Sequence, residues 1–260
     1  MLDEIGTITE RFSASGTLDE RIDLAFEAMR KMGFEALIYD YTPARRGWDG
    51  QVEIPTLLKL RNIAGEMYDY WCTREYFRID PVQRLAMQTS VPFFWNYDPD
   101  VETRITRFVT EETKPVCDFL REHDMLAGVT VPVHMPRGDY ATVTGVRFGA
   151  RKEFMRDATH VLADFNLLAQ VFHEAAYELY DDTVLNASGV RLTERERECL
   201  SYSAHGLSAK EISRVIGRSV PTVVMHLNSA ARKLGAKNKT QAVVRATQCR
   251  LLENVTPYQL

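Results

Sequence analysis

The sequence lacks any long apolar segment, since nowhere in its 260 residues do about 18 uninterrupted apolar residues occur, the length that a membrane-spanning helix needs. The first residues, MLDEIGTITERFS, have neither the basic nor the apolar segment of a secretory signal peptide. The four cysteines lie far apart with no C-x-x-C pair, which argues against a zinc knuckle and a disulfide framework. These absences favour a protein of the reducing cytoplasm with no membrane partner.

Charge divides the chain into two parts. A length of 260 residues is comfortable for two domains, and 45% hydrophobic with 26% charged residues is ordinary globular composition. Residues 190–260 carry 12 Lys and Arg against 5 Glu and no Asp, a net charge of +7, whereas residues 1–189 carry −11. A basic module on an acidic body suggests a polyanion partner for the module, although an unevenly charged solvated surface fits the charge alone equally well.

Helix-start and helix-stop signals divide the basic segment into four short helices. A hydroxyl residue followed by Glu three positions later forms a capping box, and a glycine supplies the left-handed residue that ends a helix. These signals are Thr193 with Glu196, Ser208 with Glu211, Gly206 and Gly217. Apolar residues three or four positions apart predict one buried face for each of the first three helices. They are Leu200, Ala204, Ile212, Ile216, Val223, Leu227, Ala230 and Leu234.

The tight connection at residues 217–219 is typical of a helix-turn-helix. Ser219 would cap the third helix, and Pro221 in its first turn has no intrahelical bond to lose. With the apolar face turned inward, four residues of this helix would face the DNA major groove, namely Thr222, Val224, Met225 and Asn228. Four basic residues at its end and beyond it would contact phosphates, namely Arg232, Lys233, Lys237 and Lys239.

This segment resembles the C-terminal DNA-binding domain of the LuxR family. The residues that carry the resemblance are Leu192, Thr193, Glu196, Leu200, Gly206, Ser208, Glu211, Ile212, Ser219, Thr222, Val223, His226, Lys233, Leu234, Ala242 and Val243. The resemblance implies that a fourth helix, near residues 240–252, contributes to a homodimer that binds a near-palindromic site in double-stranded DNA. His226 stands alone on the third helix, so we expect no metal site there.

The acidic part reads as an α+β domain, an α-β-α sandwich with an antiparallel sheet. Helical patterns cover residues 17–32, 56–74, 101–122 and 152–180, and strand patterns cover residues 34–42, 128–135 and 140–149. The turn residues 136–139 between the last two strands predict a hairpin. We therefore expect a first domain at residues 1–180, a polar linker at 181–190 and an all-α helix-turn-helix domain at 191–260.

An Asp-Pro pair, Asp80-Pro81, followed by Trp95 and later by Gly128, resembles the signal-binding domain of the LuxR family. That resemblance implies a small-molecule ligand, with Asp80 accepting the amide N–H of an acyl-homoserine lactone, Trp95 forming an apolar wall and Thr144 lining the pocket. Aromatic residues that include Tyr76 would enclose the carboxylate, which then needs strong hydrogen bonds. From the residues alone, Asp80 as a turn cap and Trp95 as core packing remain an open alternative.

Two positions depart from the family pattern. The family places a Trp thirteen residues before the Asp and a Tyr nine residues before it, whereas this chain has Met67 and Trp71. Position 63 is Ile63, where several lactone receptors carry another Tyr. The replacements resemble a subgroup of LuxR solos from plant-associated bacteria that respond to plant-derived molecules. The alternatives are an ordinary acyl-homoserine lactone receptor with an atypical pocket, and drift in which Met67 merely fills core space.

The sequence therefore predicts a ligand-responsive, homodimeric transcriptional regulator that works with RNA polymerase and has no metal, catalytic residue or cofactor besides its signal ligand. The family resemblance favours an activator, and repression stays an open alternative. Two rivals remain. One is a hydrolase with an attached DNA-binding domain that uses Asp80 with His123 or His134. The other is a regulator that binds DNA constitutively and keeps only a vestigial pocket.

Overall fold

A five-stranded antiparallel sheet forms the centre of the N-terminal part of the chain. The computed structural model describes residues 2–43, 57–135, 139–149, 158–185, 190–248 and 251–252. The strands are β1 (Ala36–Thr42), β2 (Leu57–Arg61), β3 (Phe93–Asn96), β4 (Ala127–His134) and β5 (Tyr140–Arg147), in the order β2-β1-β5-β4-β3. The described residues up to 185 form one compact unit, and those from 190 onward form a second.

Three long helices cover one face of the sheet. They are α1 (Leu2–Ala14), α2 (Leu18–Lys31), which a Thr17–Glu20 capping box begins, and α6 (Leu162–Tyr177). Alternate residues of β1, namely Leu37, Tyr39 and Tyr41, pack here because successive strand residues point to opposite faces. We call this set of buried side chains the helix-side core. Its other large members include Phe12, Ile22, Met29, Phe165 and Phe172.

Shorter elements cover the opposite face. They are α3 (Glu66–Tyr68), which continues as a π-helical turn (Asp69–Thr73), a 3-10 turn (Tyr76–Arg78), α4 (Pro81–Ala86) and α5 (Lys114–Glu122). Their apolar residues pack on Ala36 and Ile38 of β1 and on Phe93 and Trp95 of β3. We call this second set the Asp80-side core. The sheet thus separates two cores.

The predicted α+β architecture is confirmed, but several predicted element boundaries are wrong. Residues 57–61, expected to be helical, form edge strand β2, because they pair with β1 in a contact that local pattern does not reveal. Of the helix expected at 101–122, only Lys114–Glu122 is α-helical, after a 3-10 turn at Thr106–Phe108. The chain pairs β4 and β5 as predicted, while the turn residues 136–138 lie outside the described residues.

The second unit is all-α, as predicted. Its helices are α8 (Glu194–Ala204), α9 (Ala209–Val215), α10 (Val220–Lys233) and α11 (Lys239–Gln248). Both predicted capping boxes are present, and Gly206 and Gly217 have φ of 89° and 62°. Two residues of the predicted buried face are less buried than expected, since Ala204 is exposed and Ile216 is half-buried. Ala204 is the last residue of α8, and Ile216 directly follows the end of α9. Within the expected linker, Asp182–Leu185 forms a short helix, α7.

Candidate ligand site and nucleic-acid interface

The carboxylate of Asp80 is buried at the start of α4, with only 2% of the residue exposed. Its Oδ2 accepts the Gln83 backbone N–H at 3.0 Å, which makes Asp80 the helix N-cap, and its Oδ1 accepts the Tyr97 hydroxyl at 2.6 Å. Burial raises the pKa of Asp80 to about 6, against the lowering effect of these two donors. Asp80 is therefore both a cap and an enclosed carboxylate, and its remaining lone pairs could accept from a ligand.

Most of the expected ligand residues belong to one core, which also contains Tyr97, the donor to Asp80. Met67, Trp71 and Trp95 are each at most 4% exposed and belong to the Asp80-side core. The Trp95 and Tyr97 rings lie 5.5 Å apart, which links the expected wall to the donor on Asp80. Tyr76 is half-buried against the same core, so it forms part of the boundary. These side chains therefore share one core, and their role in ligand binding stays a prediction.

The indole of Trp95 is held by a short chain of hydroxyls. Its Nε1 donates to Thr130 Oγ1 at 3.0 Å, and Thr130 Oγ1 lies 2.9 Å from Thr144 Oγ1. The ring lies against Gly128, where an added Cβ would come 2.3 Å from Trp95 Cζ2. Gly128 is therefore needed for the position of Trp95. Thr144 is buried beside these groups, and its hydroxyl is the third member of this series of hydrogen-bonded groups.

Sequence reasoning missed a second buried carboxylate, Asp40 of β1. It is fully buried, and its Oδ2 accepts from Gln83 Nε2 at 3.0 Å and from the Thr142 hydroxyl. Its Oδ1 is buried without a hydrogen-bond partner among the described residues. Burial, with a smaller contribution from the charge of Asp80, raises the pKa of Asp40 to about 7. The signal in the sequence was an Asp within an otherwise apolar strand.

Trp71 carries a second unpartnered polar atom in the same core. Its Nε1 is buried and donates to no group in the described part of the chain. Trp71 lies on the π-helical turn, a feature that frequently occurs at functional sites. Met67, one turn earlier, offers a thioether that accepts only weakly and donates nothing. The side of the core formed by these two residues therefore has one free donor.

The histidines that the hydrolase rival requires are bonded elsewhere. His123 Nδ1 lies 2.8 Å from the carbonyl oxygen of Phe119, and His134 Nε2 lies within 3.1 Å of two backbone carbonyl oxygens near the end of α4. Asp80 pairs with Tyr97 and Gln83 in their place. Among the described residues, no group of three or more His, Cys, Asp or Glu is arranged to hold a metal ion.

The outer face of α10 presents the expected base-contacting residues. Val224 and Met225 are 40% and 57% exposed, unusual values for large apolar side chains, and Asn228 is exposed beside them. Thr222 is half-buried, and its hydroxyl lies 2.8 Å from the Ser219 hydroxyl at the helix start. Three of the four predicted residues are thus free to face a groove, while Thr222 also takes part in the cap.

The basic residues divide into two groups. Arg232, Lys237 and Lys239 are exposed at the end of α10 and beyond it, as expected for phosphate contacts. Lys233 Nζ instead donates to Glu196 Oε2 at 2.7 Å within the unit. Burial raises the pKa of Glu196, but hydrogen bonds from Lys233, the Thr193 backbone and Ser229 outweigh it and lower the pKa to about 2. Lys233 therefore has a structural role within the unit, and its expected phosphate contact stays a prediction.

Comparison with known proteins identifies relatives of both units. The autoinducer binding domain family matches residues 17–176, and the family described as bacterial regulatory proteins, luxR family, matches residues 190–246. The transcriptional activator protein BjaR1 of Bradyrhizobium diazoefficiens is 31% identical over 232 residues, 86% of each chain. The HTH-type quorum sensing-dependent transcriptional regulator RpaR of Rhodopseudomonas palustris is 28% identical over 217 residues, 82% of this chain and 81% of its own.

Among solved structures, the fold is similar to that of SdiA from Escherichia coli. The TM-score is 0.67 at 20% sequence identity, and the match covers 96% of this chain and 98% of SdiA. Within the described residues, no helix is both long and apolar enough to cross a membrane.

Proposed function

The chain belongs to the luxR family of bacterial regulatory proteins, with an autoinducer binding domain before its helix-turn-helix, and on this basis we propose that it is a ligand-dependent transcriptional activator. Residues 1–180 sense the ligand, residues 181–190 link the domains, and residues 191–260 bind DNA. The active form is a cytoplasmic homodimer that binds a near-palindromic site and recruits RNA polymerase. The protein catalyses no reaction and holds no cofactor or metal.

We propose that the ligand is a plant-derived small molecule with an amide or amine N–H, in place of an acyl-homoserine lactone. The observation that supports this is the buried carboxylate of Asp80, bonded to Tyr97 of the core that also contains Met67 and Trp71. Asp80 accepts the ligand N–H, as the family resemblance implies. A lactone carbonyl beside Met67 would lose its water without gaining a donor, at a cost of roughly 1–3 kcal/mol. The indole N–H of Trp71 lies at a different position and suits a different acceptor.

Ligand binding would act by stabilising the first domain. A molecule that fills the Asp80-side core and binds only the folded state adds stability by mass action, about 2.7 kcal/mol at 100 times its Kd. The dimer that this favours fixes the spacing of its two recognition helices, which sets the affinity for a two-half-site operator.

A thermal-shift screen tests the ligand-sensing function. Plant metabolites and standard acyl-homoserine lactones are added to the full-length protein, and compounds that raise Tm are repeated on Asp80→Asn. We expect the shift to disappear in that variant and to persist in Asp139→Asn, which alters a buried carboxylate bonded to Tyr41 of the helix-side core. A shift that survives Asp80→Asn would place recognition elsewhere, and a screen in which no compound raises Tm would favour a vestigial pocket.

A reporter assay separates the two ligand classes. The double substitution Met67→Trp with Trp71→Tyr restores the residues typical of lactone receptors, so we expect it to raise the response to acyl-homoserine lactones. A folded double variant that gains no response would contradict the role assigned to Met67 and Trp71. A wild type that already responds fully to lactones would indicate an ordinary lactone receptor. Operator affinity that is equal with and without plant extract would indicate constitutive binding, and turnover of candidate amides would indicate the hydrolase.

A further inference from the structure

Asp40 occupies a position where a carboxylate is costly. Every residue of β1 is buried, and Asp40 itself is fully buried between strands β2 and β5, opposite Leu58 and Thr142. It points to the same face of the sheet as Ala36 and Ile38, which belong to the Asp80-side core, because strand residues two positions apart share a face. A charged or polar group in such a place persists when it has partners or a function.

The two oxygens of Asp40 are used unequally. Oδ2 accepts two hydrogen bonds, from Gln83 Nε2 and from the Thr142 hydroxyl, whereas Oδ1 has no partner among the described residues and no exposure to water. A carboxylate oxygen that is desolvated and unbonded destabilises the protein unless something else satisfies it. The two donors to Oδ2 hold the group in place and leave Oδ1 available.

Gln83 ties Asp40 to Asp80. Its backbone N–H donates to Asp80 Oδ2, its side-chain Nε2 donates to Asp40 Oδ2, and its side-chain oxygen accepts the Tyr140 hydroxyl at 2.8 Å. One residue at the start of α4 thus fixes the two carboxylates relative to each other. This arrangement supports two acceptors that act together on one molecule, since rigidly placed acceptors lose little freedom on binding.

The π-helical turn contributes to the core that Asp40 faces and offers the complementary atom. Its residue Trp71 packs in the same core as Ile38 and has an unpartnered indole N–H. The Asp80-side core therefore contains an unsatisfied acceptor and an unsatisfied donor.

We propose that Asp40 is a second ligand anchor, whose Oδ1 accepts an N–H from an amine or ammonium group, while Trp71 Nε1 donates to a carbonyl oxygen of the same ligand. This deepens the proposed function and depends on it. The ligand class that fits is an acyl amide with a second, basic nitrogen: the amide N–H binds Asp80 and the basic nitrogen binds Asp40. An acyl-homoserine lactone has one N–H and leaves Asp40 unsatisfied. A cationic nitrogen supplies the opposite charge that the buried pair of carboxylates lacks.

Three probes that share one acyl chain test this inference on the full-length protein. They are N-octanoyl-ethylenediamine, which has the second nitrogen, N-octanoyl-ethanolamine, which has a hydroxyl in its place, and N-octanoyl-homoserine lactone. Calorimetric measurements at pH 7 give the ratio of the Kd of the hydroxyl probe to the Kd of the amine probe, which measures the preference for the amine. We expect a ratio of about tenfold or more in the wild type, the scale of a charge-assisted hydrogen bond. We expect Asp40→Asn to reduce the ratio to about one.

Two control variants separate recognition from damage to the fold. Asp139→Asn changes a buried carboxylate of the other core and should keep the ratio, and Asp80→Asn should weaken both amide probes together without changing it. If Asp40→Asn does not fold, Asp40→Thr takes its place, because threonine is neutral and β-branched and therefore suits a strand. Circular dichroism checks that each variant is folded.

Each outcome decides the question. A wild type without preference for the amine, or a preference that survives both Asp40 variants, overturns the second anchor. Binding of the lactone or hydroxyl probe through Asp80, without an advantage for the amine, leaves the ligand-sensing function intact and refutes only this inference. If no probe binds and no metabolite shifts Tm, both proposals fail.

Discussion

Gly128→Ala is expected to displace Trp95 from the candidate site. Gly128 of β4 pairs with Trp95 of β3, and an added Cβ would lie 2.3 Å from Trp95 Cζ2 and 2.6 Å from the carbonyl oxygen of Gly145. Neither distance is tolerated by non-bonded carbon and oxygen atoms. Strand β4 cannot move without breaking its hydrogen bonds to β3 and β5, so the indole of Trp95 must change its position. That movement breaks the hydrogen bond from Trp95 Nε1 to Thr130.

The cost follows from these two effects. Overpacking of a well-packed core typically costs about 1–3 kcal/mol, and the lost hydrogen bond adds about 0.5–1.5 kcal/mol. A total of about 1.5–4.5 kcal/mol lowers Tm by roughly 3–18 °C for a domain of this size. Thermal unfolding followed by circular dichroism measures the loss, and the indole fluorescence maximum should move to longer wavelength because Trp95 leaves an apolar environment.

Gly145→Ala is the matched control. It lies on β5, and its added Cβ would come 2.5 Å from the Phe34 ring in the helix-side core. We expect a comparable loss of Tm without the fluorescence change, because Trp95 keeps its place. A Gly128→Ala protein with wild-type Tm and wild-type emission would refute the assigned role of Gly128.

Three further predictions concern charge. Lys233→Met should destabilise the DNA-binding domain by about 1–3 kcal/mol in urea unfolding, since it leaves buried Glu196 without its cation; an unchanged midpoint would contradict the structural role. Lys237→Met should leave that midpoint unchanged and reduce the slope of log affinity against log salt by about one, measured by DNA-binding titrations; an unchanged slope would mean no phosphate contact. The folded-state pKa of Asp40, about 7, lies above its ordinary value of 3.8. Its contribution to stability is therefore present at low pH and lost as pH rises through 7, so Asp40→Asn should gain stability relative to wild type between pH 5 and pH 8 in paired melts; a constant difference across that range would disprove the shift.

Local sequence patterns predicted the helices and strands whose conformation is determined by neighbouring residues. The apolar spacing of Ile22 and Met29 marked α2, the β-branched runs marked β4 and β5, and the capping box at Thr193 marked the start of α8. Strand β2 was mistaken for helix because its residues are all half-buried at the sheet edge and show no alternation. Its conformation is set by pairing with β1, which no short window of sequence contains.

The site shows the same division between local and distant information. Asp80 and Trp95 were named from the family resemblance, whereas Tyr97, whose hydroxyl donates to Asp80, was missed. Asp40 was missed because its partners, Gln83 and Thr142, are 43 and 102 residues away. The ion pair of Lys233 was missed because its partner, Glu196, lies 37 residues earlier. Charge partners that are distant in sequence cannot be inferred from spacing.

The sheet that separates the two cores has an evolutionary consequence. Leu37, Tyr39 and Tyr41 pack in the helix-side core, while Ile38 and Asp40, their immediate neighbours along β1, face the Asp80-side core. Under the proposed function, a change of signal molecule would therefore fall on alternate residues of β1, and substitutions there would leave the side chains that pack on the helices unchanged.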